Sequence, residues 1–128
     1  MLKLPSHGRY DYSNIEKRRD FDWPGGKRLA FYIALNVEEF AFMAGRGNDP
    51  FSRTNSAQTQ RNFAWRDYGL RVGIWRIFRM LDELKLPATI LLNSLVSEHF
   101  SDIVARIKQR GDDVCNHGRT NAERLGDL

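Results

Sequence analysis

The sequence predicts an α/β protein, a parallel β-α-β-α-β segment, on three observations. Residues 29–35, LAFYIAL, form a nearly continuous apolar run, the pattern of a parallel strand covered on both faces. Leu70, Ile74, Ile77, Phe78, Leu81 and Leu84 recur at the spacing of one helical face. Two further short apolar runs, ATILLN (88–93) and DVCN (113–116), bracket a second helix-like stretch. Strand and helix in alternation require parallel pairing through crossover connections, which are right-handed.

Residues 1–28 read as an irregular N-terminal arm, because Pro5, Gly8, Pro24, Gly25 and Gly26 interrupt any periodicity. The first strand is expected over 29–36. Residues 44–67, rich in Gly, Asn, Ser, Arg and Gln, read as a polar loop longer than ordinary connections, a length that marks functional segments. The first helix is expected over 68–86, stopped by Pro87, and the second strand over 88–93. Ser101 reads as the N-cap of the second helix, with Asp102 favourable in its first turn. Gly111 supplies the left-handed residue that ends it. The third strand follows at 113–116, with only the largely polar stretch GRTNAERLGDL behind it. A parallel sheet needs its faces and edges covered, so the segment reads as an incomplete unit. A second copy or a complementing chain is the expected partner.

The chain has 128 residues, enough for one domain with a real core. Its apolar runs are too short to cross a bilayer and no signal peptide is visible, so a cytoplasmic location is expected. The single cysteine, Cys115, fits a reducing compartment and reads as a small buried residue of the last strand. The formal charge of +4 raises the question of nucleic acid. Residues 1–28, however, hold seven Lys or Arg against four Asp or Glu, while the remaining hundred hold thirteen against twelve. A nearly neutral body with a basic arm lacks the basic stripe of a nucleic-acid binder.

Parallel α/β folds gather functional groups at the carboxyl ends of their strands. Here those ends carry Asn36, Glu38 and Glu39; Asn93, Ser94 and, further on, His99; and Asn116, His117, Arg119 and Asn121. Adjacent strand residues face opposite ways, so Glu38 and Glu39 are expected to have separate tasks. A partly buried carboxylate can act as general base for water, with His117 orienting the water or giving up a proton. The alternatives are solvated loop carboxylates and a turn histidine. His7 and His99 read as residues outside the site. Ser94 lacks the context of a nucleophile elbow, and Gly25-Gly26 precedes a strand and so forms no dinucleotide fingerprint.

Four stretches, WPGGKRLAFYIALNVEEF, FAWRDYGLRVGIWRIFRMLDEL, LPATILLN and GDDVCNHGRTNAERLGDL, together resemble the amino-terminal part of the polysaccharide deacetylase-like family, in its allantoinase-like amidohydrolase branch. The resemblance implies that residues 29–128 are the N-terminal part of a distorted (β/α) barrel, incomplete in this chain. It implies hydrolysis of carbon–nitrogen bonds other than peptide bonds, with a small amide, ureido or N-acetyl compound as substrate. In metal-dependent members two aspartates close the first strand, one a general base and one a metal ligand; Glu38 and Glu39 stand there. Two ligand histidines follow, separated by three intervening residues; His117 and Asn121 stand there. Catalytic zinc takes three protein ligands, and Glu39 and His117 supply only two, so a tightly held divalent metal is not expected. The polar groups left for oxyanion stabilisation are Asn121 and Arg119. Arg66, in AWRDYG, is the candidate for gripping an anionic substrate or else pairs with a neighbour near Asp67.

Overall fold

The computed structural model describes residues 8–43 and 58–123. The chain divides into two compact units, Met1–Phe31 and Tyr32–Leu128. In the first, Asn14 caps a short 3-10 helix, Ile15–Lys17, by accepting from the Glu16 amide at 3.0 Å. Further on, Trp23 and Lys27 close a tight turn through reciprocal backbone bonds of 2.7 and 3.2 Å. Gly25 turns that corner at φ +73°, a conformation open to glycine at little cost.

The second unit runs β1 (Ala34–Val37), α1 (Gln60–Tyr68), a π-helical turn (Gly69–Gly73), α2 (Ile74–Leu84), β2 (Thr89–Leu92), α3 (Ser94–His99), α4 (Ser101–Arg110) and β3 (Asp113–Asn116). The strands form a parallel sheet in the order β1-β2-β3. The α/β class and the third strand agree with expectation. Two right-handed crossovers between consecutive neighbours put their helices over the same face of a sheet. Burial follows that rule: Val37, Ile90 and Leu92 are buried with Ile74, Phe78 and Leu81 of α2 and Ile103 and Ile107 of α4. Each such side chain contributes about 1.5–3 kcal/mol through its burial.

Several sequence expectations are corrected. The first strand was expected over 29–36, yet Leu29, Phe31 and Tyr32 are exposed and pairing starts only at Ala34. The partner strand explains this: Thr89 donates to Ile33 O, and behind it Pro87 has no N–H with which to extend the ladder. Neither face-to-face burial nor a buried Cys115 is observed. In β1, Ala34 and Asn36 are exposed, and all four residues of β3, Cys115 included, are exposed, because β3 is an edge strand. The long polar loop is shorter than expected, since α1 begins at Gln60. Thr59 caps it by accepting from the Asn62 amide at 3.1 Å. Residues 44–57 of that loop, and His7, lie outside the described residues. Helix α2 stops at Leu84, before Pro87, because Lys85 turns left-handed at φ +54°. Ser101 is the first residue of α4, with Phe100 as its cap, whereas Gly111 ends the helix at φ +73° as expected. The short helix α3 carries no periodic signal in sequence. Among the described residues, no helix is long and apolar enough to cross a membrane.

A charged clamp holds the amino ends of the strands. Arg110, with its side chain 4% exposed, donates to Asp112 through Nε at 2.6 Å and Nη2 at 3.2 Å, and to Leu86 O at 3.0 Å. It also meets Asp82, which Arg106 grips from α4. Asp112 in turn accepts from the Ala88 amide at 3.0 Å, so one guanidinium joins α2, α4 and the starts of β2 and β3. The hydrogen bond to Asp112 holds the Arg110 guanidinium above its ordinary value, against the opposing effect of burial. Breaking such a pair strands a charge, and the Asp112 side chain is only 1% exposed. Arg110→Ala is therefore expected to lower unfolding free energy by about 3–5 kcal/mol, measured by urea titration. Lys85→Gly, which relieves a left-handed lysine, is expected to raise it by about 1 kcal/mol in the same assay.

Candidate active site

The register sets Val37, Leu92 and Asn116 side by side, which brings the residues that follow them, Glu38, Asn93 and His117, abreast at the carboxyl rim. The ladder continues one step further, with Asn93 N donating to Val37 O at 3.2 Å and His117 N to Leu92 O at 3.1 Å.

Asn93, fully buried, ties this rim together. Its Oδ1 accepts from the Glu39 amide at 2.9 Å, and its Nδ2 donates to His117 O and, at 3.3 Å, to Asn121 Oδ1. Thr120 Oγ1 and the Asn121 amide both donate to Glu39 O, at 2.8 and 2.9 Å. The backbone of 118–119 also accepts from Ser94 and Leu95. The loop after β3 is thereby folded back over the end of β1.

Two carboxylate–imidazole pairs stand on this frame. Glu38 Oε1 lies 2.8 Å from His117 Nε2 and accepts from Asn36 Nδ2 at 3.2 Å. Both partners are partly open, at 31% exposure for the histidine side chain and 26% for the glutamate. Glu39 Oε1 lies 2.7 Å from His99 Nδ1. An ionised carboxylate only accepts, so each histidine presents N–H to its glutamate, which leaves Nδ1 of His117 and Nε2 of His99 as the remaining ring nitrogens. Glu38 and Glu39 thus have separate partners, although both follow the last residue of β1 and line the same cleft.

Glu38, Glu39 and His99 line a cleft of 960 Å³, together with Arg66, Arg119 and several phenylalanines. Arg66 stacks on the Phe40 ring at 4.1 Å and donates to Asn62 Oδ1 at 2.5 Å. The neighbouring Asp67 is engaged by Arg71 at 2.5 Å. Arg119 pairs with Glu123 one helical turn away in sequence. Asn121 sits in the Asn93 network, and His117 reaches the cleft only through Glu38.

His99, expected outside the site, lines the cleft and pairs with Glu39. It ends α3, the one-and-a-half-turn helix that follows β2 directly, and so stays close to the rim. Asn93 was recognised as a strand-end residue but not as the tie. The available signal was an amide side chain closing an apolar strand, a position where only a fully hydrogen-bonded group is tolerated.

The zinc implied by the family resemblance does not suit these side chains. Glu39 is bonded to His99, His117 to Glu38, and Asn121 Oδ1 to Asn93. Among the described residues, no three His, Cys, Asp or Glu side chains converge at metal-binding spacing. Comparisons with protein-family models, curated proteins and solved structures found no match.

Asn93→Ala removes three hydrogen bonds and leaves the Glu39 amide and His117 carbonyl without their side-chain partner. It is expected to cost about 2–3 kcal/mol in urea unfolding. Amide exchange at Glu39 and Asn121 should accelerate more than exchange in α2.

Proposed function

We propose that this chain carries the catalytic rim of a hydrolase acting on carbon–nitrogen bonds other than peptide bonds. Its substrate is an N-acetyl, amide or ureido compound of carbohydrate or small-molecule metabolism. The observation that carries the reading is the 2.8 Å pairing of Glu38 with His117 at the carboxyl end of a parallel sheet, with Glu38 on the wall of the cleft.

In this reading the chain is an arc of a (β/α) barrel. The strand order β1-β2-β3, with helices expected on one face, supports that, because a singly wound sheet closes into a barrel and a doubly wound one does not. A cytoplasmic setting, suggested by the lone cysteine, belongs to the same reading.

The chemistry follows from the pair. Asn36 and His117 both engage Glu38 Oε1, which fixes the carboxylate and leaves Oε2 to take a proton from water. The oxygen of that water forms the new bond to the acyl carbon. The carbon–nitrogen bond then breaks as the proton passes to the leaving nitrogen. The products are a carboxylic or carbamic acid and an amine. Arg119 retains donors beyond its contact with Glu123 and lies on the cleft wall, suited to the developing oxyanion.

A second reading is a binding or oligomerising module. It is favoured by the exposure of all four residues of β3, an edge strand that a second copy of the chain would extend. The two readings separate in one experiment on the full chain. The purified protein is assayed against N-acetylated sugars and ureido acids while light scattering reports its size. The hydrolase reading expects turnover that falls about a hundredfold or more in Glu38→Gln. No turnover, together with a stable dimer, transfers the case to the second reading, and turnover indifferent to Glu38→Gln rules out the proposed base.

A further inference from the structure

The cleft has a character that the Glu38–His117 pair does not account for. Although the whole chain carries a formal +4, the lining formed by the described residues holds five carboxylates (Glu38, Glu39, Asp67, Glu98, Glu123) against three guanidinium groups (Arg66, Arg71, Arg119). That is a local formal charge of −2 with His99 neutral. Two of the guanidinium groups are already matched to acids of the same wall, Arg71 to Asp67 and Arg119 to Glu123. The third, Arg66, lies over the Phe40 ring.

Glu39 provides an independent observation. Its side chain is only 10% exposed, and one oxygen is satisfied by His99. The other, Oε2, is buried and has no hydrogen-bond partner among the described residues. A buried carboxylate oxygen without a donor is costly, and a charge-assisted N–H bond is the contact that removes the cost. The same wall is rich in rings: Phe40, Phe42, Phe63 and Phe100 line it, with Phe42 and Phe63 packed edge to face at 4.9 Å.

We infer that the cleft is a binding site for N–H-rich, neutral or cationic ligands of the amide, ureido or amidino type, with an N–H donated to Glu39 Oε2, and that it rejects carboxylates. The inference adds a charge preference and an N–H acceptor to the substrate class of the proposed hydrolase, and rests on that reading for the chemistry, though not for the binding. Arg66 lies over Phe40 and Arg71 over Phe100, so a planar N–H donor stacks on Phe42 or Phe63 while its donors reach the carboxylate, an arrangement that matches the preference of cations for aromatic faces. An anion of the same shape meets Glu38, Glu39 and Glu98 instead. This also turns Arg66 away from the role of gripping an anionic substrate, since the ring of Phe40 and the amide of Asn62 already engage it.

The test uses three probes of one shape and different charge, benzamidine, benzamide and benzoate, titrated into the full chain by NMR. Benzamidine should bind about tenfold more tightly than benzamide, and benzoate should show no saturable shifts. The shifts should fall on Phe63, Leu70 and Leu95, which line the cleft. Glu39→Gln should abolish the advantage of benzamidine, whereas Asp113→Asn, on exposed β3, should leave it intact. Benzoate binding as well as benzamidine, or a preference unchanged in a folded Glu39→Gln chain, overturns the inference. If Glu39→Gln does not fold, the order of the three probes on the unaltered chain and the location of their shifts decide alone. Selective binding without turnover sinks the hydrolase reading and leaves this one standing. Turnover that depends on Glu38, without charge selectivity, does the reverse.

Discussion

The side-chain amide of Asn93 is the constraint on which the carboxyl rim depends. A carboxamide is the one uncharged side chain that offers both an acceptor and two donors from a single rigid plane. At the end of β2 it uses them in opposite directions, toward β1 through the Glu39 amide and toward the loop after β3 through His117 O and Asn121. The middle strand is the only place from which this is possible. An ionised aspartate would supply no donor, and a leucine would strand the Glu39 N–H in a dry site. The tie anchors the Glu39 backbone, and with it the adjoining Glu38, where each carboxylate meets a histidine.

The two ends of the sheet are held by different physics. At the amino end, Arg110 joins helices and strands through charge, with Asp82 and Asp112 as counterparts. At the carboxyl end the ties are neutral amides and hydroxyls, and the charged groups are left to face the cleft. The rim's net hydrogen bonding is modest per bond, about 1 kcal/mol, but several of them converge on residues 39, 93 and 121.

Much of this was legible in sequence and some was not. The parallel α/β class was readable because strands alternate with helical periodicity, and β3 was readable to the residue because Gly111 ends α4 at a defined point. The meeting of Glu38 with His117 followed from the rule that strand ends share a rim. The length of β1 was not readable, because apolar residues report burial potential while a strand needs a partner, and that partner begins at Thr89. Helix α1 escaped because its stabilisation is local and polar: the Thr59 cap and the bond from Arg66 to Asn62, with only Asn62 buried. His99 escaped because α3 is too short to leave a periodic trace.

The π-helical turn at Gly69–Gly73 has an effect on phase. It joins α1 to α2 without a break, and an i→i+5 turn accommodates one residue more than the α-helical repeat. At 3.6 residues per turn, one residue corresponds to roughly 100° of azimuth. The extra residue rotates α1 by about a quarter turn relative to the face with which α2 packs on the sheet. Arg66, Phe63 and Asp67 consequently look toward the cleft, while Ile74, Phe78 and Leu81 look into the core. A single rod of helix therefore serves two neighbours at different bearings, and its azimuthal offset is set by where that one wide turn falls.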